Sequence, residues 1–155
     1  MAPVPFGAPN DILAAGLQTL APALVPHGFE PTRPQSGRSS GGPFATASFV
    51  GDGRALHLSL RGTSLIVRYD LAGNELDHAA YMRALLGPAG KNAFPAYAAD
   101  PAASFEALLS DLRQFATDFV SGTGHEYLRC WTVANARQAR GGLKQLSDTA
   151  RELDH

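Results

Sequence analysis

Over residues 44–70, FATASFVGDGRALHLSLRGTSLIVRYD, apolar and polar positions alternate in three runs separated by Asp52-Gly53 and Gly62-Thr63. A period of two marks a half-buried strand, and both dipeptides suit two-residue hairpin loops, the first of type I′ and the second of type II′. Loops of that length set the register. Phe49 then opposes Leu56, Leu58 opposes both Ala47 and Val67, Leu60 opposes Leu65, and Leu56 opposes Tyr69. All of these fall on one face, the condition that a sheet with one buried side must meet. The other face collects Thr46, Ser48, His57, Ser59, Arg61, Ile66, Arg68 and Asp70. The pattern predicts a three-stranded antiparallel meander. A segment around Phe29 adds a fourth strand, at an edge because of Pro31 and Pro34.

The flanking segments change period. Asn10 is a candidate N-cap for a helix carrying Leu13, Leu17, Leu20 and Leu24, interrupted at Pro22 and closed by Gly28. Residues 30–43, EPTRPQSGRSSGGP, carry almost no apolar side chains and are expected to form a mobile loop. Leu76 to Leu86 reads as a short helix stopped by Gly87-Pro88. Asp100 as N-cap and Pro101 at the first helical position open the longest apolar stripe, Phe105, Leu108, Leu109, Leu112, Phe115, Ala116 and Phe119. Tyr127, Leu128, Trp131 and Ala134 suggest a further helical piece, and Leu143, Leu146, Ala150 and Leu153 a last one. Strands in one block flanked by helices give an α+β fold, an antiparallel β-meander of three to four strands with helices packed on one face. The whole chain, 1–155, is expected to be one domain, with 125–155 as a protruding C-terminal helical segment.

Composition narrows the function classes. Thirteen Lys and Arg against fourteen Asp and Glu leave a net charge near zero, so neither nucleic acid nor an anionic membrane is an expected partner. One cysteine makes no internal disulfide, and no stretch reads as a signal peptide or spanning helix. A cytoplasmic location is expected. Eleven arginines to two lysines, with 26 alanines, is the bias of a GC-rich bacterial genome.

Most chemical motifs are incomplete. Gly37-Arg38-Ser39-Ser40-Gly41 has the letters of a nucleophile elbow, but Gly42-Pro43 follows it and no strand-to-helix turn is expected there. His125-Glu126 begins a zinc-protease pattern whose second histidine would fall at Arg129. Cys130, among Leu128, Trp131 and Val133, reads as a buried thiol. Gly122-Thr123-Gly124 follows a helix and serves as its cap rather than as a phosphate cradle. No catalytic residue, metal site or cofactor is expected. The run Arg129, Arg137, Arg140 and Lys144, with no acid among residues 129–146, reads as a solvated helix face.

Two constellations remain as candidate binding sites. On the polar sheet face the register sets His57 beside Arg68, with Ser59 and Arg61 close by, a group able to hold a carboxylate, a phosphate or an acidic protein surface. On the short helix, His78 and Tyr81 share a face with Met82 and Leu85, where a histidine and a tyrosine could exchange a proton. The loop 90–101, GKNAFPAYAADP, carries Phe94 and Tyr97 and is expected to wall the core rather than to serve as a lid.

Gly28-Phe29, Arg61, Val67-Arg68-Tyr69, His78, Tyr81, Phe94-Pro95, Tyr97, Asp100-Pro101 and the Phe105 to Phe119 stripe together give an outline. That outline resembles small bacterial α+β domain families of unknown function whose members run helix, Gly-Phe, β-meander, then helices. The resemblance implies a fold outline and no catalytic residue. The expected function is a non-catalytic protein-binding domain, of immunity or adaptor type, with the C-terminal helix as a possible homo-oligomer seam. The alternative is a small-molecule-binding protein or hydrolase with a pocket near His78 and Tyr81.

Overall fold

The computed structural model of the protein describes residues 9–40, 42–94 and 100–136. Helix α1, Pro9–Leu24, buries Leu13, Leu17, Leu20 and Leu24 and runs through Pro22 rather than breaking there. A 3-10 turn over Val25–His27 follows, and Gly28 at φ 91° closes it. That closure turns Phe29 into the core, where it is 1% exposed.

The sheet has six antiparallel strands: β1 Glu30–Pro31, β2 Gln35–Ser39, β3 Gly42–Gly51, β4 Arg54–Arg61, β5 Ser64–Leu71 and β6 Asn74–Asp77. The order is β1-β3-β4-β5-β6, with β2 pairing β3 on the same side as β1. The expected register holds at every pair, including Phe49 with Leu56, Leu58 with Ala47 and Val67, and His57 with Arg68.

The strand count exceeds the expected three to four at both ends of the meander. β1 is the edge strand expected next to Phe29, whereas β2 lies within residues 30–43 where the polar composition suggested a loop. These strands gain backbone hydrogen bonds to β3 without burying side chains, so no alternation announces them. Thr32 bridges the gap between them: its N–H donates to the Ser48 carbonyl at 2.7 Å, and its hydroxyl accepts from Ser48 N–H at 2.9 Å.

At the other end, Leu76 lies on β6 instead of opening a helix. Helix α2 begins at His78 and runs to Leu86, capped by Asp77, whose carboxylate accepts from Ala80 N–H. The hairpin loop before β6 is Ala72-Gly73, both residues in the left-handed region at φ 53° and 88°. At Asp52-Gly53 only Gly53 has positive φ, so that loop is not the expected type I′. The Gly53 carbonyl instead accepts the Ala72 N–H at 2.7 Å, which ties the two loops together. Gly62 at φ 59° with Thr63 outside the left-handed region fits the expected type II′ loop.

The expected 105–119 helix is two pieces, α3 Pro101–Gln114 and α4 Thr117–Ser121. Phe115 and Ala116 N–H groups both donate to the Asp111 carbonyl at the break. The change of direction lets Ala116, Phe119 and Val120 all reach the core. A further helix, α5, covers 125–136 of the described residues. The α5 start is held by Asp118, whose carboxylate accepts from Gly124 and Tyr127 N–H. Arg54, at the start of β4, donates to the Asp118, Phe119 and Gly122 carbonyls and so fastens the first hairpin to the end of α4.

Helices α1, α2 and α3 pack on the apolar side of the sheet, against β3, β5 and β6. Gly16 of α1 sits against the Phe105 ring so closely that a Cβ would lie 2.3 Å from it, and the α1–α3 crossing therefore needs a glycine there. Among the described residues, no helix is long and apolar enough to cross a membrane.

Ala72 carries the backbone strain of a side chain held at φ 53°. Asn-Gly is the favoured pair for such a loop, so Ala72→Asn is expected to raise stability by about 1 kcal/mol. Chemical denaturation of both proteins, read as a shift in midpoint at unchanged slope, measures it.

Candidate functional site

The outer face of the sheet carries four of the six candidate residues. His57 is half-buried, with Nδ1 2.7 Å from the Ser48 hydroxyl of the neighbouring strand. Ser59 pairs with Thr46 on one side and Ile66 on the other. The Arg61 guanidinium lies over the Phe44 ring, 5.8 Å from its centroid, and that ring in turn covers Gly37. Arg68, opposite His57, reaches Glu75 at 3.5 Å. Both side chains of that pair are about half exposed, so the ion pair contributes little.

The cross-strand spacing thus does bring His57, Ser59, Arg61 and Arg68 onto one surface. The surface is not uniformly basic, because Asp70 and Glu75 stand at its far end. It also carries exposed apolar side chains. Among the described residues the exposed large hydrophobics are Val25, Val50 and Ile66, and the last two, 46% and 52% exposed, project from this face. Among the described residues, the helices that pack on the sheet lie on its other side.

His78 and Tyr81 lie on the other side, inside the core. His78 is 3% exposed and Tyr81 fully buried. His78 Nε2 is 2.9 Å from Asp111 Oδ2, and its Nδ1 is 2.7 Å from the Tyr69 hydroxyl. A carboxylate only accepts, so Nε2 carries a proton, and Nδ1 shares its hydrogen bond with the phenol. Both ring nitrogens are occupied, which leaves neither for a substrate.

Asp111, fully buried on α3, also accepts from Asn92 Nδ2 at 2.8 Å, Ala93 N–H at 2.7 Å and Phe94 N–H at 2.9 Å. The Asn92 amide donates to the Phe94 carbonyl as well. Burial pushes the Asp111 carboxyl upward, but the hydrogen bonds from His78, Asn92, Ala93 and Phe94 outweigh it and hold the carboxyl below its ordinary value. Burial raises the Tyr69 phenol well above its ordinary value, with Tyr81, Asp111 and Tyr127 adding to the effect, so it remains a donor.

The Tyr81 hydroxyl has no hydrogen-bond partner among the described residues. Burial, and then the nearby Cys130, raise its phenol too. A depression of about 230 Å³ between α2 and the segment that follows it is lined by Ala79, Met82, Arg83, Asn92 and Phe94 but not by His78 or Tyr81. Phe94 packs on the core with its ring edge-on to His78, 5.2 Å between centroids. The described end of the 90–101 loop is therefore a wall. Tyr97 lies outside the described residues, as do Arg137, Arg140, Lys144 and the C-terminal segment beyond 136.

Cys130 is fully buried, and burial raises its thiol away from the reactive thiolate. Ser39 closes a hairpin strand rather than a strand-to-helix turn, so the nucleophile-elbow pattern has no structural counterpart. Sequence reasoning missed Asp111 and Asn92. The signal for Asp111 was its place inside the apolar stripe, between Leu108 and Leu112, where a carboxylate requires buried donors. Comparison with known protein families, with curated proteins and with solved structures finds no match to this chain.

Asp111→Ala leaves His78, Asn92 and two backbone N–H groups without their acceptor, and is expected to cost about 3 kcal/mol. The lowered carboxyl makes a second test. A carboxyl depressed by folding contributes stability that is complete above the ordinary aspartate value, about 3.9, and is lost as pH falls through the lowered one. Stability measured from pH 7 downward should therefore fall less steeply below about pH 4 in Asp111→Asn than in wild type. Tyr81→Phe removes a buried hydroxyl that no described residue satisfies, so it is expected to stabilise the protein by about 1 kcal/mol in a denaturant titration.

Proposed function

We propose that this protein is a non-catalytic interaction domain that docks another protein on the outer face of its sheet. The observation that carries the reading is the sidedness of the fold. The described helices pack on the apolar face, while the opposite face is left open with Val50, Ile66, Arg61 and Arg68 exposed on it. Ile66 is an exposed apolar side chain with Arg68 two residues along its strand and Arg61 diagonal to it, a small apolar centre with a guanidinium rim. Arg61 held over an aromatic ring is partly ordered before binding, which lowers the entropy lost when a partner carboxylate engages it.

The pocket reading is weaker on the same geometry, because His78 has no free nitrogen and the adjacent depression does not reach Tyr81. The four sheet residues are the binding residues of this proposal. His78 and Tyr81 are core residues in it.

The test is affinity capture from native-host lysate, followed by titration of the identified partner into purified protein. Arg61→Ala with Ile66→Ser is expected to weaken that partner by at least tenfold while the melting curve stays near wild type, since both side chains project into solvent. An unchanged affinity rejects the sheet face as the docking surface.

A further inference from the structure

His57, Asp70 and Glu75 are distant in sequence logic but adjacent in the sheet, one each from β4, β5 and β6 on the outer face. One donor atom from each lies within 4.8 Å of the other two. A divalent cation bound by three donors at about 2.0–2.2 Å holds those donors about 3–4 Å apart, so small side-chain rotations close the set. Among the described residues, each of the three also has one atom engaged by a neighbour and another left over. His57 gives Nδ1 to the Ser48 hydroxyl, leaving Nε2. Asp70 accepts the Gly73 N–H on Oδ1 at 2.8 Å, leaving Oδ2. Glu75 meets Arg68 through Oε2 at 3.5 Å, leaving Oε1. The Ser48 hydroxyl on His57 and the Gly73 N–H on Asp70 fix two of these ligands in the way that outer partners usually support a metal site.

We propose that His57, Asp70 and Glu75 form a binding site for a first-row divalent cation, zinc by its donor set. One imidazole and two carboxylates suit zinc, whereas magnesium and calcium prefer oxygen alone. Three protein donors leave a coordination position open to water. His57 and Asp70 are half-buried and Glu75 is exposed, so the cation enters from solvent with no opening of the fold. Among the described residues, the opposing charge in contact with the set is Arg68. Its pair with Glu75 is long and half exposed, and an arriving dication displaces it at small cost. The site stands on the geometry of the free chain and does not depend on the docking proposal.

The experiment is titration of zinc chloride into the metal-stripped full chain, followed by calorimetry and by equilibrium dialysis with metal analysis. One saturable equivalent is expected. His57→Ala with Asp70→Asn, both on the solvent side of the sheet, should weaken it at least a hundredfold. Ser48→Ala should weaken it roughly tenfold to a hundredfold, the effect of losing an outer partner. Loss of His27 and His125 together, which lie elsewhere, should leave the equivalent in place. Should the double variant melt early, Glu75→Gln removes a ligand from an exposed position and serves in its stead. No saturable equivalent in wild type, or one that survives loss of the ligands, overturns the site. Because the titration contains no partner protein, its failure leaves the docking proposal standing, and failure of the docking test leaves this one standing.

Discussion

The carboxylate of Asp111 has no contact with solvent, and the inner side of the fold is organised around that fact. A carboxylate removed from water costs several kcal/mol unless donors fill its lone pairs. Here the donors are His78 at the first residue of α2, and Asn92, Ala93 and Phe94 from the connection after it. Apolar contacts alone would let α2 and that connection slide against α3, since the hydrophobic effect has little directionality. Hydrogen bonds to one buried group fix both. Through His78 the chain of bonds continues to the Tyr69 hydroxyl on β5, so the helices and the sheet share one network.

Tyr69 then links this network to the aromatic core. Its ring meets Tyr81 and Phe119 edge-on, with centroids 5.0 and 4.9 Å away. Tyr127 of α5 closes the same cluster, and its hydroxyl reaches the backbone carbonyls of Tyr69 and Asn74 at 3.2 and 2.7 Å. One helix thus grips the β5–β6 hairpin by its main chain. With so much of the aromatic surface spent on the inner side, the outer face keeps short polar side chains, two guanidinium groups and the isolated Val50 and Ile66. The sidedness of the sheet follows from where the rings went.

The sheet centre was legible because alternation, loop length and burial all constrain the same register. Phe49, Leu56, Leu58, Val67 and Tyr69 could not be slipped by one residue without turning them all to water. The edge strand beside Phe29 was legible from its prolines, but β2 was not, since Gln35–Ser39 is held by backbone bonds that any sequence can make and buries nothing that would show as a pattern. β6 offered a single inward residue, Leu76, and its loop used Ala72 where Asn or Gly would have announced it. On the candidate surface, pairwise register placed His57 beside Arg68 correctly, but the partners at longer range stayed hidden. Glu75 reaches Arg68 only because β6 exists. The same reasoning explains Asp111, a polar residue in an apolar stripe whose partners lie 33 and 19 residues away at His78 and Asn92.

Charge on the outer face is segregated along the strands. Arg61 and the Phe44 ring stand at one end, Asp70 and Glu75 at the other, with His57 and Arg68 between them. A partner laid along the strands meets opposite signs at the two ends, so one orientation is favoured and the reverse places like charges together. A dication held by His57, Asp70 and Glu75 would neutralise the acidic end and leave Arg61 and Arg68 as the charges of the face, with Arg68 released from Glu75. A partner that needs the acidic end would then lose its complement, and one that presents carboxylates along its whole length would be freed of a repulsion. The metal and the partner would therefore be coupled through charge, without any movement of the backbone.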